Sequence, residues 1–156
     1  MNFTDAVKTC FKKYFTFSGR AARSEFWWWV LFIYAAGVIL SLIDYGLFGI
    51  PFRGLLQISF NLDFSSISNV FSILVFIPSI AVSVRRLHDS NRTGLWLLGW
   101  IPAIALAFVV VALGVILLLV GAVALLIWYC LPGTSGANKY GPDPLGGPAN
   151  DVSVFE

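Results

Sequence analysis

The stretch Arg85–Gly94, "RRLHDSNRTG", gathers three arginines, an aspartate and the single histidine of the chain. On a helix Arg85, His88 and Asp89 share one face, because residues three and four apart are neighbours. A His88–Asp89 general acid/base pair would need a nucleophile or a metal, and none is nearby. Ser90 beside them in sequence does not make a triad, whose members converge from distant positions. One histidine with scattered carboxylates is a poor metal set. No catalytic residue, metal or cofactor is therefore expected, and the protein is not expected to be an enzyme. A guanidinium can instead hold a phosphate or carboxylate through two parallel hydrogen bonds. The chemistry on offer is an anion or headgroup pocket, or a docking surface for an acidic segment. The plainest alternative is a topological anchor with structural ion pairs.

The elements that position these residues are apolar. "FSILVFIPSIAVSV" precedes the island, and "LWLLGWIPAIALAFVVVALGVILLLVGAVALLIWYC" follows it. The chain of 156 residues is 58% apolar and only 12% charged. Soluble domains carry about a quarter charged residues, so lipid is the expected solvent. The mean hydropathy of +0.84 agrees. Lys8, Lys12, Lys13, Arg20 and Arg23 precede the first apolar run, and Arg85, Arg86 and Arg92 sit in the island; only Arg53 and Lys139 lie elsewhere. That clustering fits the positive-inside rule and argues against nucleic-acid binding. Cys10 and Cys130 have no metal or redox spacing. No cleavable signal is expected, since the first apolar run is too long for one.

"NFTDAVKTCFKKYF" places Phe3, Ala6, Val7, Cys10, Phe11, Tyr14 and Phe15 on one helical face, with lysines on the other. It predicts an amphipathic helix within residues 1–17, interfacial or packed on the rest of the protein, capped by Asn2 or Thr4. Residues 18–131 then form a helical transmembrane domain. Its first span, about 26–48, opens on Trp27, Trp28 and Trp29 as an aromatic belt. Asp44 near its far end either reaches the headgroups or serves an ion. The loop around Arg53 suggests a short re-entrant or interfacial piece. The second span is about 67–84, with Pro78 inside it. Leu95–Leu131 is too long for one crossing, so two spans are expected, about 95–111 and 114–131, with the turn between Ala107 and Gly114. Residues 132–156 form a Gly/Pro-rich cytoplasmic tail, ordered to Pro144 and without order beyond Leu145. Gly133–Gly136 could mimic a phosphate nest, though no helix follows it.

The fold expected is all-α: a multi-pass helical membrane protein with four spans and both termini cytoplasmic. Only Arg53 among the basic residues then faces out. If the spans stand so, Arg20, Arg23 and Glu25 lie at the depth of the island, where Glu25 could meet Arg85 or Arg86.

Three segments together are distinctive: "FSGRAARSEFWW", "RRLHDSNRTGLW" and "LPGTSGANKYGPDP". In this order they resemble the motifs of the YhaH-like bacterial inner-membrane family, domain of unknown function 805. The matching positions are Phe17, Gly19, Arg20, Arg23, Glu25, Phe26 and Trp27; Arg85 to Asp89; and Gly133, Thr134, Gly136, Asn138 and Tyr140 to Pro144. Two departures are Thr93-Gly94-Leu95-Trp96, where the family often has Ser-Gly-Trp-Trp, and a longer apolar run after Pro102. The resemblance implies the bacterial inner membrane and assigns no activity. The expected binding residues are Arg20, Arg23, Glu25, Arg85, Arg86, His88, Asp89, Asn138, Tyr140 and Asp143, facing an anionic lipid headgroup or a partner. The expected partners are membrane lipids and either a partner membrane protein or another copy of the chain. The rival is a small transporter or channel with Asp44 or Asp89 as the ion-coupling group.

Overall fold

The structure, a computed structural model, describes residues 1–50 and 66–146. The expected interfacial piece around Arg53 and, apart from Gly146, the expected loss of order beyond Leu145 lie outside the described residues. Among the described residues all regular structure is helical: α1 (Phe3–Lys12), α2 (Arg23–Phe48), α3 (Ile67–Asp89), a 3-10 helix (Gly94–Gly99), α4 (Trp100–Val109) and α5 (Val111–Cys130). Three of them, α2, α3 and α5, are long and apolar enough to cross a membrane. Their 26, 23 and 20 residues reach about 39, 35 and 30 Å at the α-helical rise, against a hydrocarbon core of about 30 Å. Gly94–Val109 is a shorter apolar element. The four long spans expected from the sequence thus resolve into three long helices and one shorter arm. These elements form two compact units. One holds Met1–Phe15 and the described part of Ser24–Ala81; the other holds Thr16–Arg23 and the described part of Val82–Glu156.

In the first unit, Asn2 caps α1 by accepting from the Asp5 N–H at 2.8 Å. Asp5 in the first turn and Lys12 in the last complement the helix dipole. Ala6 and Cys10 are buried. Phe11 meets the rings of Trp29 and Phe32 edge-on at 5.1 and 5.9 Å, and Phe32 meets Phe71 of α3 at 6.1 Å. Each such pair contributes about 0.5–1.5 kcal/mol beyond its buried area. Trp29 is buried, and its indole N–H donates to Ser79 Oγ at 3.0 Å. Trp27 and Trp28 are exposed.

Pro78 inside α3 has no N–H, which leaves the carbonyl of Leu74 without its helical donor. The Tyr14 hydroxyl supplies that donor. A carbonyl left unmet in hydrocarbon costs several kcal/mol, so this bond makes the proline tolerable there.

Asp44 does not reach outward. It is 1% exposed. Its Oδ1 accepts from the Ile67 N–H at 2.9 Å, and its Oδ2 from the Ser68 N–H at 2.9 Å and Ser68 Oγ at 2.6 Å. Ser66 Oγ accepts from the Asn69 N–H. The first amides of α3 are thereby satisfied, with a carboxylate at the positive end of the dipole.

In the second unit, α3 ends in a Schellman motif. Asn91 takes the left-handed conformation at φ 56. Its N–H donates to the His88 carbonyl at 3.0 Å, and the Arg92 N–H to the Leu87 carbonyl at 2.9 Å. Asparagine tolerates this region because its short side chain bonds locally. Thr93 Oγ1 then caps the 3-10 helix by accepting from Leu95. The long apolar run breaks at Val110, which is extended at φ −133 and ψ 90. A β-carbon on Gly114 would lie 2.3 Å from the Ala107 Cα, so the chain folds back sharply there and α4 packs backbone-close on α5.

Candidate functional site

Arg85–Asp89 of the island form the last turn of α3, which presents Arg86, His88 and Asp89 to the tail. Asp89 is the hub. Its Oδ1 accepts from Arg20 Nε at 2.9 Å, with Arg20 Nη2 also at 2.9 Å. Its Oδ2 accepts from Arg86 Nη1. The remaining guanidinium nitrogens bond backbone: Arg20 to the carbonyls of Thr134 and Gly136, and Arg86 to those of Tyr129 and Leu131. The side chains of Arg20, Arg86 and Asp89 are 1%, 0% and 5% exposed.

Such burial is tolerable because each charge is met. Asp143 lies 3.9 Å from Arg20, so the two arginines face two carboxylates and the group is close to neutral. Asp143 itself accepts from the N–H groups of Leu145 at 2.9 Å and Gly136 at 3.2 Å. These amides, Leu145 first, together with Arg20, hold its carboxyl below the ordinary 3.8.

The clasp also closes two helix ends. At α5 the Trp128 carbonyl accepts from Ser90 Oγ, Tyr129 and Leu131 from Arg86, and Cys130 from Arg23 at 3.4 Å. Carbonyls that a helix terminus leaves unpaired thus meet cations at the negative end of the dipole. At α3 the Asp89 carbonyl accepts from both Thr134 N and Thr134 Oγ1, and the His88 carbonyl from Asn138 Nδ2 at 2.9 Å. The Arg85 carbonyl accepts from the Ala21 N–H at 3.0 Å.

The tail is shaped to make these bonds. Asn138 Oδ1 accepts from the Tyr140 N–H in an Asx turn. The Asn138 and Gly141 backbones pair reciprocally at 3.0 Å. Tyr140 then stacks on His88 at 3.8 Å between centroids and 4° between planes. His88 Nδ1 is 3.1 Å from the Gly19 carbonyl. The Thr134 and Gly136 amides that could have formed a phosphate nest are engaged within the protein.

Of the residues expected at the site, Arg20, Arg23, Arg86, His88, Asp89, Asn138, Tyr140 and Asp143 join this one network. Arg85 is buried in the same unit. Glu25 belongs to the first unit, buried, with Cys10 Sγ 4.0 Å away. Gly133, Thr134 and Ser90 were not among the expected site residues, although the "GTSGAN" spacing held the first two. Arg92 was also outside that set. Its guanidinium lies over Trp128 at 4.2 Å from the ring centroid.

The family model described as "Protein of unknown function (DUF805)" matches residues 14–142. The chain is 35% identical over 134 residues to "Inner membrane protein YhaI" of Escherichia coli strain K12, covering 85% of this chain and 89% of that one. It is 33% identical over 133 residues to "Inner membrane protein YhaH" of the same strain, covering 85% and 90%. It is 29% identical over 146 residues to "Uncharacterized protein YiiR" of that strain, covering 83% and 86%. No solved structure matches the chain.

Proposed function

The chain belongs to the DUF805 family, and from that premise we propose that it is a non-enzymatic, multi-pass bacterial inner-membrane protein whose cytoplasmic face binds anionic lipid headgroups. Both termini lie in the cytoplasm in this reading, and the chain crosses four times. The shorter arm supports the fourth crossing: six 3-10 residues and ten α-helical residues reach about 27 Å at their respective rises, close to a core of about 30 Å. Charge supports the orientation, since every lysine and arginine except Arg53 then faces the anionic leaflet. α1 lies in the interface, with its lysines toward water.

One observation carries the binding reading. The clasp internalises Arg20 and Arg86 and neutralises them, while Arg23, Arg92 and Lys139 pair with no carboxylate among the described residues. Arg20, Arg86, Asp89, Asn138 and Asp143 are therefore the scaffold that fixes the tail. The outer cations, with His88 and Tyr140 beside Lys139, are the binding surface. Asp44 has three donors on its oxygens and Asp89 two arginines, which weighs against either as an ion-coupling group in a transporter. The test is thermal stabilisation of the detergent-purified protein by phosphatidylglycerol against phosphatidylcholine. The double variant Arg23→Gln/Lys139→Gln is expected to lose part of the phosphatidylglycerol-specific gain. Equal stabilisation of wild type by both lipids sinks the reading. A salt-sensitive co-purifying protein without lipid preference would transfer the same cations to an acidic partner segment.

A further inference from the structure

We propose that Arg92, seated on Trp128 beside Trp96, is a dedicated site for the phosphodiester of a membrane phospholipid, an inference that rests on the lipid-binding reading above and locates it at residues outside the clasp. Depth comes first. Arg92 lies in the four-residue connection between α3, which is long enough to cross a membrane, and the apolar Gly94–Val109 arm. Turn backbone cannot sit exposed in hydrocarbon, and Asn91 beside it is exposed. The turn therefore lies in the headgroup layer, where phosphates are.

Preorganisation comes second. The guanidinium stands 4.2 Å over Trp128, which fixes its plane and strips water from one face. Trp128 is held in turn: Trp96 meets it edge-on at 5.0 Å, and Ser90 Oγ bonds its carbonyl. Arg92 Nε is buried without a hydrogen-bond partner. Its terminal nitrogens bond no described residue either.

Charge comes third. Arg20 and Arg86 have their carboxylates in Asp89 and Asp143; Arg92 has none among the described residues. A fixed, half-dried guanidinium lacking a counter-ion calls for an external oxyanion, and its fork matches two phosphate oxygens. The apolar neighbours select the source. Leu95 and Trp96 are 67% and 52% exposed, so a phosphate here would have its acyl chains against the following apolar arm. A free anion gains nothing from that surface.

The experiment is native mass spectrometry of the full-length protein in a mild detergent, titrated with phosphatidylglycerol, with phosphatidylcholine and inorganic phosphate as separate arms. Wild type is expected to retain one phosphatidylglycerol more tightly than the rest, and Arg92→Gln to bind it about tenfold more weakly, as for the loss of one bidentate charged pair. Arg92→Lys keeps the charge but not the fork and falls between; Trp128→Leu weakens binding with Arg92 intact. Any of these that folds serves the test. Undiminished retention by Arg92→Gln overturns this site, while the broader reading stands if Arg23→Gln/Lys139→Gln is impaired. Displacement of the lipid by millimolar inorganic phosphate overturns the lipid assignment. Equal retention of both lipids by wild type overturns the anionic preference of the broader reading, and this site then falls if Arg92→Gln retains both undiminished.

Discussion

Gly133 lies against the Asp89 carboxylate so closely that a β-carbon there would stand 2.1 Å from Oδ2 and 2.7 Å from Oδ1. The carboxylate cannot retreat, because Arg20 holds one oxygen and Arg86 the other. The close approach lets Thr134, the next residue, bond the Asp89 carbonyl with both its N–H and its hydroxyl.

Gly133→Ala is therefore expected to open the clasp, although alanine is a small change. The cost should be at the upper end of the about 1–3 kcal/mol typical of overpacking. Chemical unfolding in detergent measures it, with limited proteolysis of the tail as a local readout. Wild-type stability and protection would refute the contact.

Asp89→Asn leaves the buried Arg86 guanidinium without a carboxylate and Arg20 with only Asp143 at 3.9 Å. Removing one partner of a buried pair costs about 3–5 kcal/mol. Arg86→Gln should be severe as well, since it also releases two terminal carbonyls of α5. Because both changes break one network, the double variant should cost clearly less than the sum of the singles. Additive costs would show that the charges act separately.

Tyr14→Phe removes the hydroxyl that bonds the Leu74 carbonyl, and an acceptor left unmet away from water costs about 1–3 kcal/mol. Pro78→Ala returns the helical N–H. In that background Tyr14→Phe should cost much less. An equal cost in both backgrounds would mean that Tyr14 does not compensate for the proline.

Asp143 gives the tail an acid limit. Its pKa is lowered in the folded chain by the Leu145 and Gly136 amides and Arg20. A depressed carboxyl contributes stability that is fully present above its ordinary 3.8 and is lost as pH falls through the lower folded value. Protection of the tail from proteolysis should thus hold from neutral pH down to mildly acidic solution and fail only below 3.8. Asp143→Asn should lack this acid step and be less protected at neutral pH. Identical profiles for the two proteins would exclude the role.

The apolar runs of this chain were legible because their length and lack of charge leave few alternatives. The grouping of the three motifs was legible through the resemblance. The roles of Asp44 and Tyr14 were not. Nothing local in the sequence links Asp44 to the amides of Ile67 and Ser68, or Tyr14 to a carbonyl freed by a proline sixty-four residues on. The division of the arginines was not legible for a related reason: composition shows that they are present, whereas the partners of Arg20 and Arg86 are mostly backbone carbonyls, which every sequence contains and none displays.

By itself the sequence determined the solvent and the elements. Too few charges to coat a surface require lipid, and runs of about 20 apolar residues become helices there because every backbone group must be met within the segment. Only the tertiary structure decided which charges are internal. Arg20, Arg86 and Arg92 are chemically alike. The first two meet a carboxylate and helix-end carbonyls and become scaffold. Arg92 meets a tryptophan face and keeps its hydrogen-bonding edge. That division follows from where α3 and α5 end relative to the tail within their unit, a relation of distances between residues far apart in the chain.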